Sequence, residues 1–376
     1  MTAGVYVHIP FCVRKCAYCD FLSFSGLSDL RAPPYIDALL DEISRCDALD
    51  ALSIPSVFLG GGTPSVLDEA SLSAILNAIA RKADISAAEI TLEANPGSDA
   101  NRAKLSSLRS SGFNRLSIGL QAAQDGMLAA LGRSHTLSDF LDIREAAASA
   151  GFRNINADVM FGLPGQTPDD LAQTIGLLVS LDIPHISAYS LTIEDSTPFG
   201  KMLREGAIYL PDEDAERRMY AQARQSLAGA GYTQYEISNF ARLGRECIHN
   251  ILYWTRQNYL GFGLGAHSLV NNTRWRNTDD MHEYIVSKGE HASIVRDAED
   301  LDTTAQMEEF IFLGLRMTNG ISAAEFHRQF GVDLHTRFGA QILKYQHLGL
   351  LEIRGDLLRL TPNGVNVSNI VLADFL

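Results

Sequence analysis

Cys12, Cys16 and Cys19 place three thiols within eight residues near the start of the chain. Spaced four and then three apart, they cannot close a tetrahedral structural zinc site, which takes four nitrogen or sulfur ligands, unless another donor comes from far away. They can hold three irons of a cubane. A 4Fe-4S cluster ordinarily takes four thiolates, so three leave one iron open to bind something else. Buried structural thiols do not cluster in this way in a reducing compartment. Cys46 and Cys247 remain, and both read as ordinary packed or surface thiols.

The elements around these cysteines determine what the thiols face. A strand-like run, Gly4 to Ile9, ends at Pro10, so the cysteines fall on the loop leaving a first strand, where parallel α/β folds put their chemistry. Further strands are expected at Ser56–Leu59, Glu89–Glu93, Arg115–Gln121, Ile155–Phe161 and His185–Leu191. Between them lie helix-period segments: one after Pro33-Pro34 with Ile36, Leu39, Leu40 and Ile43, then others through Leu72–Ile79, Leu105–Leu108, Phe140–Ala147 and Leu171–Leu178. Six strands alternating with helices give an α/β fold with a parallel sheet, a partial (β/α)6 TIM-type barrel rather than a complete eight-fold one. Polar residues recur at or just after the strand ends: Thr63, Glu93, Gln121, Arg133 and Asp158. Caps and turns explain any one of them; the whole set predicts a shared rim. Gly60-Gly61-Gly62 would let the backbone approach a ligand, or would simply make a tight turn.

Residues 212–230 read as a charged, exposed helix. Tyr232 to Trp275 is rich in aromatics, glycine and histidine, which suits either a flat ligand or a cover over the open side of the barrel. From about Asp302, three helical patterns and a hairpin with a Gly355-Asp356 turn resemble a winged-helix module. The domains expected are therefore a barrel at 1–230, a connecting region at 231–301 and a C-terminal unit at 302–376. Residues 303–376 hold six Lys/Arg against seven Asp/Glu, whereas a DNA-binding face needs clustered positive charge. Over all 376 residues the formal charge is -14, which disfavours nucleic acid and anionic lipid as partners. A 46% hydrophobic, 20% charged composition is that of a globular protein. With no apolar run of 18 residues and no basic-then-apolar leader, the expected location is the cytoplasm.

Several segments together resemble the oxygen-independent coproporphyrinogen III oxidase family of radical S-adenosylmethionine proteins. They are the cysteine loop with Tyr6-Val7-His8-Ile9-Pro10-Phe11 before it, Gly60 to Pro64, Glu93 to Pro96, Leu116 to Gln121 and Asp158 to Thr167. The resemblance implies that Cys12, Cys16 and Cys19 ligate a 4Fe-4S cluster. It also implies that Tyr6, Tyr18, Gly61, Gly62, Thr63, Glu93, Gln121, Arg133 and Asp158 contact S-adenosylmethionine. Porphyrinogen-decarboxylating members carry a fourth cysteine two residues after the third, where this chain has Phe21, and a long amino-terminal extension, where it has eleven residues before Cys12. Cys19-Asp20-Phe21 and His249-Asn250-x-x-Tyr253-Trp254 instead resemble the HemW branch of heme chaperones. That resemblance implies heme as a further cofactor, with His249 as candidate axial ligand and His267 and Cys247 as fallbacks. It implies acceptor hemoproteins as partners, among them membrane-bound respiratory components that would draw the chain to the periphery of the inner membrane. A homodimer is left open. The alternative activity is radical oxidative decarboxylation of coproporphyrinogen III.

Overall fold

A computed structural model describes residues 1–26, 28–97 and 100–376. The six expected strands form and run parallel side by side: β1 (Ala3–Ile9), β2 (Ser56–Gly61), β3 (Glu89–Ala94), β4 (Arg115–Gln121), β5 (Asn154–Phe161) and β6 (His185–Ser190). The sequence from 231 to 301, read as a connection, extends this same sheet at both edges. Short strands β7 (Thr233–Gln234) and β8 (Asn239–Ala241) add antiparallel beyond β6. On the other side β9 (Asn258–Phe262) pairs parallel with β1, followed by antiparallel β10 (His267–Val270), β11 (Thr273–Asn277) and β12 (Val295–Asp300). The resulting twelve-stranded sheet has two free edges, β12 and β7, so the barrel is not closed.

Local chemistry sets where the crossover helices begin. Asp68 caps the helix Glu69–Lys82 by accepting from Ser71 N, and Thr136 and Thr167 form reciprocal capping boxes with Asp139 and Asp170. Each helix then buries a 3.6-residue stripe, such as Leu72, Ile75, Leu76 and Ile79, against strands buried on both faces; β4 is buried at every position. The first helix spans Ser28–Arg45, so it starts before Pro33-Pro34 rather than after them. The helix Glu213–Gly229 departs from the exposed segment expected there: Met219, Tyr220, Ala223 and Leu227 are buried, a stripe hidden by its charged neighbours.

The C-terminal unit has its own apolar core, built from Met307, Ile311, Phe326, Phe338, Ile342, Leu351 and Leu358 among others. Helices Thr303–Gly314, Ala323–Phe330 and Leu334–His347 precede the hairpin Leu351–Arg354 with Leu357–Leu360, turning at Gly355 with φ of +62°. It docks on the barrel through polar contacts. Glu309 accepts from Arg256 Nε at 2.8 Å and from Arg274 Nη1 at 2.6 Å, and the Arg316 guanidinium lies 4.3 Å from the Trp254 ring centre.

Candidate functional site

The chain leaves β1 at Pro10, and the cysteine loop is pinned to its surroundings by backbone bonds. Gly62 N donates to Ile9 O, Thr63 N to Phe11 O and Phe24 N to Pro10 O, while Ala17 N reaches Leu131 O and Phe199 N reaches Ala17 O. Cys12, Cys16 and Cys19 thus border one cavity of about 130 Å3 at the carboxyl ends of the strands. Among the described residues, no three thiol, imidazole or carboxylate groups converge on a point that would hold a single ion. Burial pushes the Cys12 and Cys19 thiols above the usual range, and each also feels the charge of Cys16.

Eight of the nine residues expected around S-adenosylmethionine line this cavity: Tyr18, Gly61, Gly62, Thr63, Glu93, Gln121, Arg133 and Asp158. The structure ties several together. Arg133 donates to Asn95 Oδ1 at 2.7 Å, to Gly119 O at 2.6 Å and to Cys16 Sγ at 3.5 Å; Asn95 in turn donates to Thr63 Oγ1, which lies 3.5 Å from Cys12 Sγ. Gly61 N donates to Glu93 Oε2 at 3.1 Å. Burial and the nearby Asp158 charge raise the Glu93 carboxyl to about 8, so it holds its proton at neutral pH. Burial also raises Asp158, against the hydrogen bonds it accepts from Asn156, Ser187 and Ser117.

One feature fits this rim to an anionic group, and another holds the cysteine loop against it. Arg133 Nε is buried and has no hydrogen-bond partner among the described residues, a cost of about 1–3 kcal/mol unless a ligand supplies an acceptor. A Cβ on Gly62 would lie 2.6 Å from Phe11 O, so only glycine keeps this backbone against the cysteine loop. Gln121 is reached through a bulge in β4 and a φ of +72°, which re-aims its side chain at the strand end. Asn95 and Gly119 line the cavity without having been singled out; Asn95 sat inside the Glu93 to Pro96 motif, which was the signal for it.

Tyr6 is not on this rim. Its hydroxyl donates to His8 Nδ1 at 2.9 Å, while His8 Nε2 donates to Leu22 O at 2.8 Å, fixing that imidazole as the Nε2 tautomer. Tyr6, His8 and Leu22 border a second cavity of about 560 Å3, shared with Tyr253, Trp254, Arg256, Tyr259, His267, Arg274, Phe312 and Leu313.

His249 lies behind this second cavity, on the short helix Ile248–Trp254 beneath the amino-terminal ends of β1 and β2. It is 2% exposed; Ser56 Oγ is 2.7 Å from Nδ1 and the Tyr253 hydroxyl 3.0 Å from Nε2. Phe58 stacks on it at 5.1 Å, and burial lowers its pKa to about 3. Cys247, the other fallback ligand, is buried under the barrel, and burial pushes its thiol up to about 12.

Comparisons with known proteins bear on the family and the fold. The model of the radical SAM superfamily matches residues 6–178, and that of the HemN C-terminal domain matches 301–367. The heme chaperone HemW of Bacillus subtilis is 37% identical over 99% of both chains. The chain belongs to the HemW family. The HemW of Lactococcus lactis is 35% identical over 99% of this chain and 97% of its own, and that of Escherichia coli 35% over 86% and 85%. In fold, this HemW-family chain resembles the coproporphyrinogen III oxidase HemN of Escherichia coli, a radical SAM enzyme, with a TM-score of 0.85 at 22% identity over all of this chain and 90% of that one.

Proposed function

We propose that this protein binds a 4Fe-4S cluster, S-adenosylmethionine and heme, and delivers heme to acceptor hemoproteins. The observation that carries the reading is the lining of the first cavity: three thiols, and at the position two beyond Cys19 the exposed Phe21 ring in place of a fourth. Cys12, Cys16 and Cys19 would hold the cluster, whose open iron, when bound, supplies a seat for an amino acid and a one-electron couple. Around it the chain's own residues do the positioning. Gly61 and Gly62 let the strand end pack closely against the His8 ring and the cysteine loop, Arg133 offers its unpartnered Nε to an anion, and protonated Glu93 and Asp158 supply a hydrogen-bond donor and acceptors for polar groups.

The relatives' heme-chaperone name and the His249-to-Trp254 motif support heme carriage. His249 is the motif's candidate ligand, and reaching an iron would require releasing one of its two ring hydrogen bonds. No helix among the described residues is long and apolar enough to cross a membrane, so delivery to membrane-bound respiratory acceptors would proceed from a peripheral position at the inner membrane, with the chain otherwise in the cytoplasm. A homodimer is a further proposal. The second reading, decarboxylation of coproporphyrinogen III, draws on the same cysteine set and the HemN-like fold.

One anaerobic experiment separates the two. The cluster is reconstituted, hemin is titrated in, and coproporphyrinogen III is assayed in parallel with S-adenosylmethionine and a reductant. A Soret band, transfer of heme to an apo-hemoprotein and no loss of propionate carboxyls are expected. Turnover to protoporphyrinogen without stable heme binding would replace the carrier reading with the enzymatic one.

A further inference from the structure

The chain carries a formal charge of -14, yet the end of the sheet opposite the cysteine rim gathers arginines. Two adjoining hollows of about 560 and 430 Å3 open there, at the amino ends of β3 to β6, and Arg153 and Arg245 stand in the walls of both. Arg109 joins the first hollow, Arg144 and Arg242 the second. Arg144 is engaged by Glu145 and Leu181 O, and Arg242 by Asp182, Ala230 O and the face of Tyr232. The other three have no ion pair among the described residues: Arg153 reaches only the carbonyls of Ala148 and Phe152, and the guanidinium groups of Arg109 and Arg245 make no hydrogen bond. Three carboxylates share the space. Glu89 spends its oxygens on Ile248 N at 2.9 Å and Asn154 Nδ2 at 3.3 Å, Asp182 is paired, and Glu246 is half-buried. Five guanidinium groups against these leave the groove net positive.

The loop from β8 to the helix Ile248–Trp254 is built to hold its shape. Arg242 N donates to Pro184 O at 2.8 Å and Arg245 N to Arg242 O at 2.9 Å. The buried Arg115 grips the same loop from beneath, Nη1 donating to Asn154 Oδ1 at 2.7 Å and to Arg245 O at 3.4 Å. Yet this pinned loop presents Leu243 to solvent at 96% exposure. A lone exposed leucine needs no explanation, but this one stands between two arginines, beside a hollow that Ile248 and Ile251 also line.

The unpaired arginines come from three elements: the end of the helix Arg102–Ser110, the turn before β5 and the loop after β8. They are spread along the groove, which suits carboxylates spaced along a polypeptide and matches the way arginine clusters read acidic motifs. A lipid surface is flat, whereas these cations line hollows. An acidic flank of a second copy would make a head-to-tail contact, which does not close into a dimer. We infer that this groove docks an acidic segment of a partner protein, its carboxylates on Arg109, Arg153 and Arg245 and an apolar side chain against Leu243. The inference stands apart from the heme-carrier reading. Because groove and cysteine rim lie at opposite ends of the same strands, a partner docked here leaves the cysteine cavity open.

The test titrates the full chain with a fluorescent peptide of alternating glutamate and leucine, with its glutamine counterpart, and with phosphatidylglycerol vesicles. The glutamate peptide is expected to bind, more weakly as salt rises, and the glutamine peptide to bind about tenfold or more weakly. Arg153→Glu combined with Arg245→Glu is expected to weaken the glutamate peptide about tenfold or more, and Leu243→Asp about threefold or more. Thermal midpoint and reconstituted iron content should stay at the wild-type level in both, and Arg328→Glu, a charge reversal on the C-terminal unit, should leave peptide affinity within about twofold. No binding of the glutamate peptide, or equal binding by wild type and the double variant, would overturn the proposal. So would vesicle binding in place of peptide binding, which would make the groove a membrane contact, or self-association of the wild type that the double variant loses, which would make the occupant a second copy.

Discussion

The two cavities lie on either side of the segment from Tyr6 to Leu22 and are built in different ways. The cysteine cavity is framed by the carboxyl ends of consecutive parallel strands, and its polar side chains hold one another through Arg133, Asn95 and Thr63. The larger cavity is assembled from β1, the helix carrying His249, the edge strands β9 to β11 and a helix with a different core, and Glu309 ties two of its arginines. The contrast separates a site organised in advance by one sheet from a site that exists only while two units are docked. Such a joint suits a ligand that must leave again, because inter-unit contacts are where relative motion is expected. Leu22 connects the two, since its loop follows Cys19, its carbonyl accepts from His8 and its side chain lines the second cavity.

If the cavities are independent binding sites, breaking the first should spare the second. Cys16→Ser removes one of three thiolates, and loss of the cluster is expected, read as iron and acid-labile sulfide content after anaerobic reconstitution. Hemin affinity of the same protein is expected to stay within about twofold, since His249, the candidate ligand, sits on the helix Ile248–Trp254 and not on the cysteine rim. Hemin binding lost together with the cluster would merge the two sites into one.

A smaller effect distinguishes the cavities by charge. Glu93 titrates at about 8 in the folded chain against an ordinary 4.5, raised by burial and by Asp158. Between those values the folded state holds a proton that the unfolded state has released, so this group's contribution to stability is intact below about pH 4.5 and is lost as pH rises through 8. Glu93→Gln keeps the shape and removes the titration. In urea unfolding of the metal-free protein, the variant's midpoint is expected to fall less than the wild type's between about pH 5 and pH 8. Asp158, also raised, keeps part of the slope in both. Parallel curves would mean that the Glu93 carboxylate is ionised in the folded chain.

The first cavity was legible in the sequence because its residues recur at strand ends, one per βα unit, where a short-range pattern can find them. Tyr6 escaped that logic: three residues before Ile9, it lies about 10 Å down the strand from the end that meets the cysteine loop, and it faces the other cavity. Gln121 was legible as a residue, but not the bulge and left-handed backbone that aim it. The edge strands between 233 and 300 were hidden because they are short and rich in glycine and charge; Gly261, whose Cβ would lie 2.2 Å from His267 O, reads as loop although it is inside β9. The larger cavity was legible only in part: Tyr253, Trp254, Tyr259 and His267 lie in the aromatic stretch that suits a flat ligand, but nothing in that stretch points to the rest of the lining. Its walls come from positions near 6, 255, 270 and 310, and no local periodicity relates those.

Trp254→Phe gives the finest test of the comparison, because it sets a packing contact against an unpaired buried donor at the joint. The Trp254 ring lies under the Arg316 guanidinium, and a phenyl ring keeps the face while weakening the cation–π attraction, at a cost of about 0.5–1 kcal/mol. Against that, the substitution deletes a buried N–H that has no partner, which removes a desolvation penalty of roughly 1–3 kcal/mol. The two changes oppose each other, so the urea midpoint should move little. A clear fall of the midpoint would show that the Arg316 contact outweighs the unpaired N–H, and a clear rise would show the reverse.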